Sequence, residues 1–246
     1  MNTSDPHSAA SERLIPFGSG LWVVEGETVS FYTLPYPTRM VIVRLEDGSL
    51  WIHSPIALDD SLQEQVDRLG QVAWLIAPNH LHHLFIEQWQ QAYPNAASYG
   101  TPEVIAKRHD LHFNAPLTDT AHPTWSPQLD QLLFTGSPAM TETIFFHRQT
   151  RTLIVSDLIE NLTPESLPPL KRWLARAGGV VAPNGRMPLD WRLSFIGHRN
   201  EARQHLRRIL AWQPEQLIMA HGEIIHSEAR AFLEHSFRWL APEKSS

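Results

Sequence analysis

A chain of 246 residues with 42% hydrophobic and 19% charged side chains has enough apolar material to bury a core and is not disordered. Its net charge is −6 and its basic residues do not cluster, which excludes the electrostatic footprint of a nucleic-acid-binding protein. Cysteine is absent, which excludes disulfides and thiolate metal sites, leaves any metal to His, Asp, Glu or Asn, and fits a reducing cytosol.

Met1 to Arg13 is polar, lacks the apolar stretch of a signal peptide and reads as a disordered tail. The remainder, 14–246, reads as one domain, because no linker or composition shift divides it. No run approaches the roughly 20 apolar residues of a membrane span, so a membrane is not an expected partner. Leu14 to Glu25 contains Leu-Trp-Val-Val, a strand after a Gly-Ser-Gly turn. Arg39–Arg44 and Leu50–His53 flank Glu46-Asp-Gly-Ser49 and form a hairpin, which leaves through Ser54-Pro55. Ser61 to Leu69 is a helix with Leu62, Val66 and Leu69 on one face and Ser61 as its N-cap. Val72–Ala77 is a buried strand, His83–Gln91 a helix and Ala96–Tyr99 a strand. Thr101-Pro102 opens a helix that runs to Arg108, with Thr as N-cap and Pro in the first helical position.

Leu111 to Pro127 is proline-rich and irregular, and Leu129–Phe134 is a strand. Glu142–His147 and Thr152–Ser156 form a second hairpin around Arg148 to Arg151. Pro164–Ala177 is a helix interrupted near Pro168-Pro169 and stopped by Gly178-Gly179. Pro183–Arg192 is a loop, Asn200–Trp212 an amphipathic helix, Gln216–Ala220 a strand and Ser227–Leu240 the closing helix. Leading strands followed by alternating strands and helices predict an α/β layered architecture.

Three of these strands end in groups that bind borderline cations. The first runs into His80, His82 and His83, the second into Asp157 and the third into His221-Gly222. Strand ends hold ligands more accurately than mobile loops. If the ends meet, those five residues are the candidate ligands. Each also has a plainer reading: the histidines as packing and capping at a helix start, Asp157 as a turn aspartate and His221 as a polar residue before a permissive glycine. His82 and His83 are adjacent, so on a helical turn one faces the site and the other packs. Glu142 and His147 point to opposite faces of their strand, and Glu142 is the one taken as a site candidate. The other histidines read as surface or packing residues.

With these strand ends the sequence resembles the metallo-β-lactamase superfamily, from about Leu21 to Leu240. Leu75-Ile-Ala-Pro-Asn-His-Leu-His-His stands at the histidine-rich metal motif, Leu153-Ile-Val-Ser-Asp157 at the strand bearing the metal-bridging aspartate, and Met219-Ala-His-Gly222 at the late His-Gly strand. Ala77-Pro-Asn, His82-His-Leu-Phe85, Phe145-Phe-His147 and Thr152-Leu-Ile-Val-Ser-Asp-Leu158 are similar, more narrowly, to an uncharacterised branch known only as a domain of unknown function. The resemblance implies a four-layer αββα sandwich and a metal-dependent hydrolase acting on a small molecule. It implies Zn2+ or Fe2+ held by His82, Asp157 and His221, with Asp157 and Glu142 as catalytic candidates.

The superfamily pattern is His-x-His-x-Asp-His. With His80 and His82 in the first two places, Leu84 and Phe85 stand where Asp and His belong. Gly136 to Thr141 contains no histidine where the middle one is expected, and Glu142 is the nearest substitute. These departures limit the site to one ion. They leave open a chain that has lost metal altogether, in which His83, Asp157 and His221 form a hydrogen-bonded cluster in a binding or scaffolding protein.

Overall fold

The computed structural model describes residues 12–31 and 34–241. Strands β1 (Ile15–Gly18), β2 (Leu21–Phe31), β3 (Leu34–Arg44), β4 (Leu50–His53), β5 (Val72–Ala77), β6 (Ala97–Gly100) and β7 (Ala115–Pro116) form one seven-stranded sheet in that order. Strands β8 (Leu129–Phe134), β9 (Glu142–His147), β10 (Thr152–Ile154) and β11 (Gln216–Ile218) form a second sheet, in the order β11-β10-β9-β8.

Side-chain alternation sorts the core into layers. On β4, Leu50 and Ile52 point to one face and Trp51 to the other. On β9, Ile144 and Phe146 point one way and Phe145 the other. Trp51, Val41 and Ile76 of the first sheet meet Phe145, Ile154 and Ile218 of the second in the space between the sheets. The outer face of the first sheet packs on helices α1 (Asp60–Leu69), α2 (Ile86–Ala92) and α3 (Pro102–Lys107) through Leu62, Val66, Trp89 and Val104. Beyond them the chain forms α4 (Pro169–Gly178), α5 (Leu189–Ser194), α6 (Arg199–Ala211) and α7 (Ala229–Ser236). The outer face of the second sheet packs on α5, α6 and α7 through Trp191, Ala202, Ile209 and Leu233. Strands with apolar residues on both faces are what such a sandwich requires, since each sheet is covered on both sides. The result is a four-layer αββα sandwich. Among the described residues no helix is long and apolar enough to cross a membrane.

Several boundaries differ from the sequence reading, each for a local reason. Helix α1 starts one residue earlier than expected because Asp59, not Ser61, is its cap, accepting the Leu62 N–H at 2.8 Å. Asp59 also pairs with Arg13, whose own N–H donates to the Gln65 side chain. Arg13 therefore belongs to the folded body rather than to the expected tail, of which residues 1–11 lie outside the described residues. Asp59→Ala is expected to lower stability by about 1 kcal/mol, and Ser61→Ala by less, read from urea-denaturation midpoints. Helix α2 begins at Ile86 because His83 to Phe85 remain in turns. The expected loop 183–192 contains the start of α5, a six-residue helix too short for a periodic signal, held by burial of Trp191. The closing helix breaks after Ser236 into a 3-10 turn, Arg238–Leu240.

Candidate metal centre

The three strand ends meet. Ligand atoms of His82, Asp157 and His221 all lie within 4.8 Å of one another. His82 Nε2 is 3.2 Å from one Asp157 oxygen, and His221 Nε2 is 3.1 Å from the other. Two donors each about 2.1 Å from a tetrahedral ion stand about 3.4 Å apart, close to both imidazole–carboxylate contacts, although each imidazole meets a different Asp157 oxygen.

The surroundings aim each ring. His221 Nδ1 is 2.7 Å from the Pro37 carbonyl oxygen, which can only accept, so Nδ1 carries a proton. His221 Nε2 therefore faces the carboxylate either as a second N–H or as a lone pair that shares a cation with it. His82 Nδ1 is 2.6 Å from Ser54 Oγ. Ser54 sits in left-handed backbone (φ 52°) at the end of β4, a strained conformation for a serine that turns its hydroxyl toward His82. Burial alone would raise Asp157 and lower His221. The His82 charge and hydrogen bonds from both imidazoles hold Asp157 well below the usual carboxylate range. Against its own burial, the Asp157 hydrogen bond and charge raise His221.

Beneath the ligands lies a buried brace. Glu142 is fully enclosed and accepts the N–H groups of Ser156, Asp157 and Leu158 at 2.7, 2.8 and 3.1 Å. The Asn79 amide donates to Glu142 at 3.0 Å and to Asp157 at 2.8 Å. Asn79 Oδ1 accepts the N–H groups of Leu81 and His82, curling the chain after β5. Burial and the Asp157 charge push the Glu142 carboxyl up, against the pull of its N–H donors. On the far side, the Arg39 guanidinium from β3 donates to the carbonyls of Met219 and Gly222, clamping the turn that carries His221. Gly222 is required there: its φ is +95°, and a Cβ would lie 2.0 Å from the Asn161 carbonyl oxygen.

His80, His83 and Glu142 are not placed as the sequence suggested. His83 packs away from the cluster, its Nδ1 3.4 Å from Arg108, and burial followed by the Lys107 and Arg108 charges lowers it to about 4. His80 is not part of the cluster, and its carbonyl accepts from Lys107. The Asn79 turn makes His82 the histidine that faces the site. Glu142 does not line the cavity above the cluster, because its oxygens are committed to backbone donors. Leu84 and Phe85 line that cavity, as does Met140 from the segment lacking the middle histidine.

The cavity has a volume of about 470 Å³ and opens over His82, Asp157 and His221. Its walls are largely apolar and include Tyr36, Leu81, Phe85 and Trp191. Glu160 lines it as well, 6% exposed and with no hydrogen bond or ion pair to its carboxyl among the described residues. Sequence reasoning passed over Glu160, whose only signal is its place three residues after Asp157. Burial pushes its carboxyl up to about 8, with His221 opposing and Asp157 and Asp190 adding. A raised folded-state value contributes stability that is fully present below the ordinary 4.5 and lost as pH rises through about 8. In metal-free protein, wild type is therefore expected to lose stability steadily relative to Glu160→Gln as pH rises between those values. Denaturation midpoints across that range check it, and a constant difference would assign the proton elsewhere.

Two packed sheets covered by helices on both outer faces are the architecture of the metallo-β-lactamase fold, and solved structures agree on the fold. A metallo-β-lactamase from Pontibacter korlensis superposes with a TM-score of 0.61 at 11% identity, covering 94% of this chain and 99% of that one. One from Hirschia baltica gives 0.62 at 12% identity, covering 94% and 98%. FIM-1 from Pseudomonas aeruginosa, in its mono-zinc form, gives 0.57 at 12% identity, covering 93% and 96%. No curated protein sequence matched. The chain belongs to the family described as "Domain of unknown function (DUF4336)", which matches residues 19–177.

Proposed function

We propose that His82, Asp157 and His221 hold a single divalent ion, zinc or iron, and that the chain is a metal-dependent hydrolase of a small molecule. The observation that carries this reading is the ring orientation of His221: the Pro37 carbonyl fixes the proton on Nδ1 and turns Nε2 toward the Asp157 carboxylate. An outer acceptor that fixes the tautomer and leaves the other nitrogen for the ion is the arrangement of metal-ligating histidines. Zinc or iron bound there would polarise a substrate oxygen and activate water.

The chain's own groups have separate tasks in this reading. Tyr36, Leu81, Phe85 and Trp191 enclose the substrate and exclude water. Glu160 lines the same cavity as the ligands, where its carboxyl is placed to exchange a proton with a leaving group. Asn79 and Arg39 keep His82 and His221 in place. The mono-zinc form of FIM-1 supports a one-ion version of this fold.

A second reading rests on the direct 3.1 and 3.2 Å contacts to Asp157. With His221 doubly protonated, the cluster closes on itself as an imidazolium–carboxylate network, and the cavity binds a ligand without metal. Chelation and reconstitution separate the two. The hydrolase reading expects activity on a panel of esters, lactones and amides to vanish with chelator and return with zinc or iron. It expects His82→Ala to lose more than about a hundredfold while His80→Ala keeps most activity. Hydrolysis that survives chelation, or equal losses in both variants, would overturn it.

A further inference from the structure

A second hollow lies away from the metal centre. The end of α4, the loop after it and α5 place Arg176, Arg186 and Arg192 around a concavity of about 400 Å³. Arg238, from the 3-10 turn, adds its charge to Arg186 and Arg192. Among the described residues none of these four arginines forms a salt bridge. Arg186 has a 3.3 Å contact to His235 Nε2, and Arg192 donates to the Gly178 carbonyl at 2.8 Å. The Nε–H groups of both are buried and unpartnered. Cations gathered without a counter-ion repel one another, and buried donors left unbonded cost free energy. Burial, then the neighbouring guanidiniums, lower both Arg186 and Arg192 from the ordinary arginine value, as that crowding requires.

We propose that this hollow is an anion site for a phosphorylated small molecule. Guanidinium forks match phosphate oxygens in bidentate geometry, and three guanidiniums line this hollow with no carboxylate partner among the described residues. A phosphate ester carries up to two negative charges, whereas a single carboxylate would neutralise only one of the converging cations. The volume exceeds that of a bare phosphate, which leaves room for an organic group beside Asn184 and Gly179. None of the metal-centre residues takes part, so this site stands or falls independently of the hydrolase reading.

Titration calorimetry of the full chain at constant ionic strength tests it, with inorganic phosphate and glycerol 3-phosphate as probes and glycerol and chloride as controls. Saturable binding at one site per chain is expected for both phosphates and for neither control. Arg186→Gln with Arg192→Gln should weaken it at least about tenfold, the range of a lost charge-assisted hydrogen bond, with metal content unchanged. Arg176→Gln, at an exposed position that leaves the fold undisturbed, should weaken it at least about threefold. If the double variant does not fold, Arg176→Gln decides alone. No saturable binding, equal displacement by chloride, or unchanged affinity in the folded variants would overturn the proposal.

Discussion

On the proposed one-ion reading, Asp157→Asn is expected to leave the protein folded and unable to hold a metal ion. Asp157 is the shared partner of both imidazoles and the one negative charge in the ligand set. Loss of an outer partner to a metal ligand costs about ten- to a hundredfold in affinity, so loss of the ligand itself is expected to exceed about a hundredfold. The fold should survive, because an asparagine amide still hydrogen-bonds His82 or His221, and Glu142 still accepts the Asp157 backbone N–H. Metal stoichiometry after gel filtration and a denaturation midpoint on the same sample check both halves. Full metal occupancy in the variant would remove Asp157 from the ligand set.

Glu142→Ala is expected to show the opposite pattern, a large loss of stability with the ligands untouched. It strands the N–H groups of Ser156, Asp157 and Leu158 in buried space and removes one of the two acceptors of the Asn79 amide, which keeps Asp157. An orphaned buried donor costs about 1–3 kcal/mol. The effects are not additive, and a total of about 4 kcal/mol is expected. Glu142→Gln keeps one accepting oxygen and should lose less. If Glu142 were a catalytic base, Glu142→Gln would keep its stability and lose its activity. A bracing residue loses stability first, and activity only as Asn79 lets His82 and Asp157 drift. Denaturant melts together with metal affinity separate these outcomes.

The sheets were legible because alternation is a local signal. Leu50-Trp-Ile-His and Glu142-Thr-Ile-Phe-Phe-His carry their two faces in consecutive residues. The strand-end site candidates Asp157 and His221 were legible for the same reason, each closing a short apolar run. Choosing His82 among three neighbouring histidines required the turn set by Asn79, and Pro78-Asn79 is the kind of turn signal that could have been weighed. The rest of the site depends on partners far apart in the chain. Arg39 reaches carbonyls 180 and 183 residues away, and Asn79 spans 63 and 78 residues to Glu142 and Asp157. No local pattern encodes such pairings. Glu142 shows the limit most clearly: its position after the missing histidine suggested a replacement for that ligand, whereas its enclosure and three backbone donors make it a brace.

The most direct test of the account is an anomalous-scattering measurement at the zinc and iron edges on crystals of protein purified without added metal. A single peak is expected within about 2.0–2.2 Å of His82 Nε2, His221 Nε2 and an Asp157 oxygen, with His80 and His83 outside its coordination sphere. No peak at either edge, with both imidazoles bonded directly to Asp157, would contradict it.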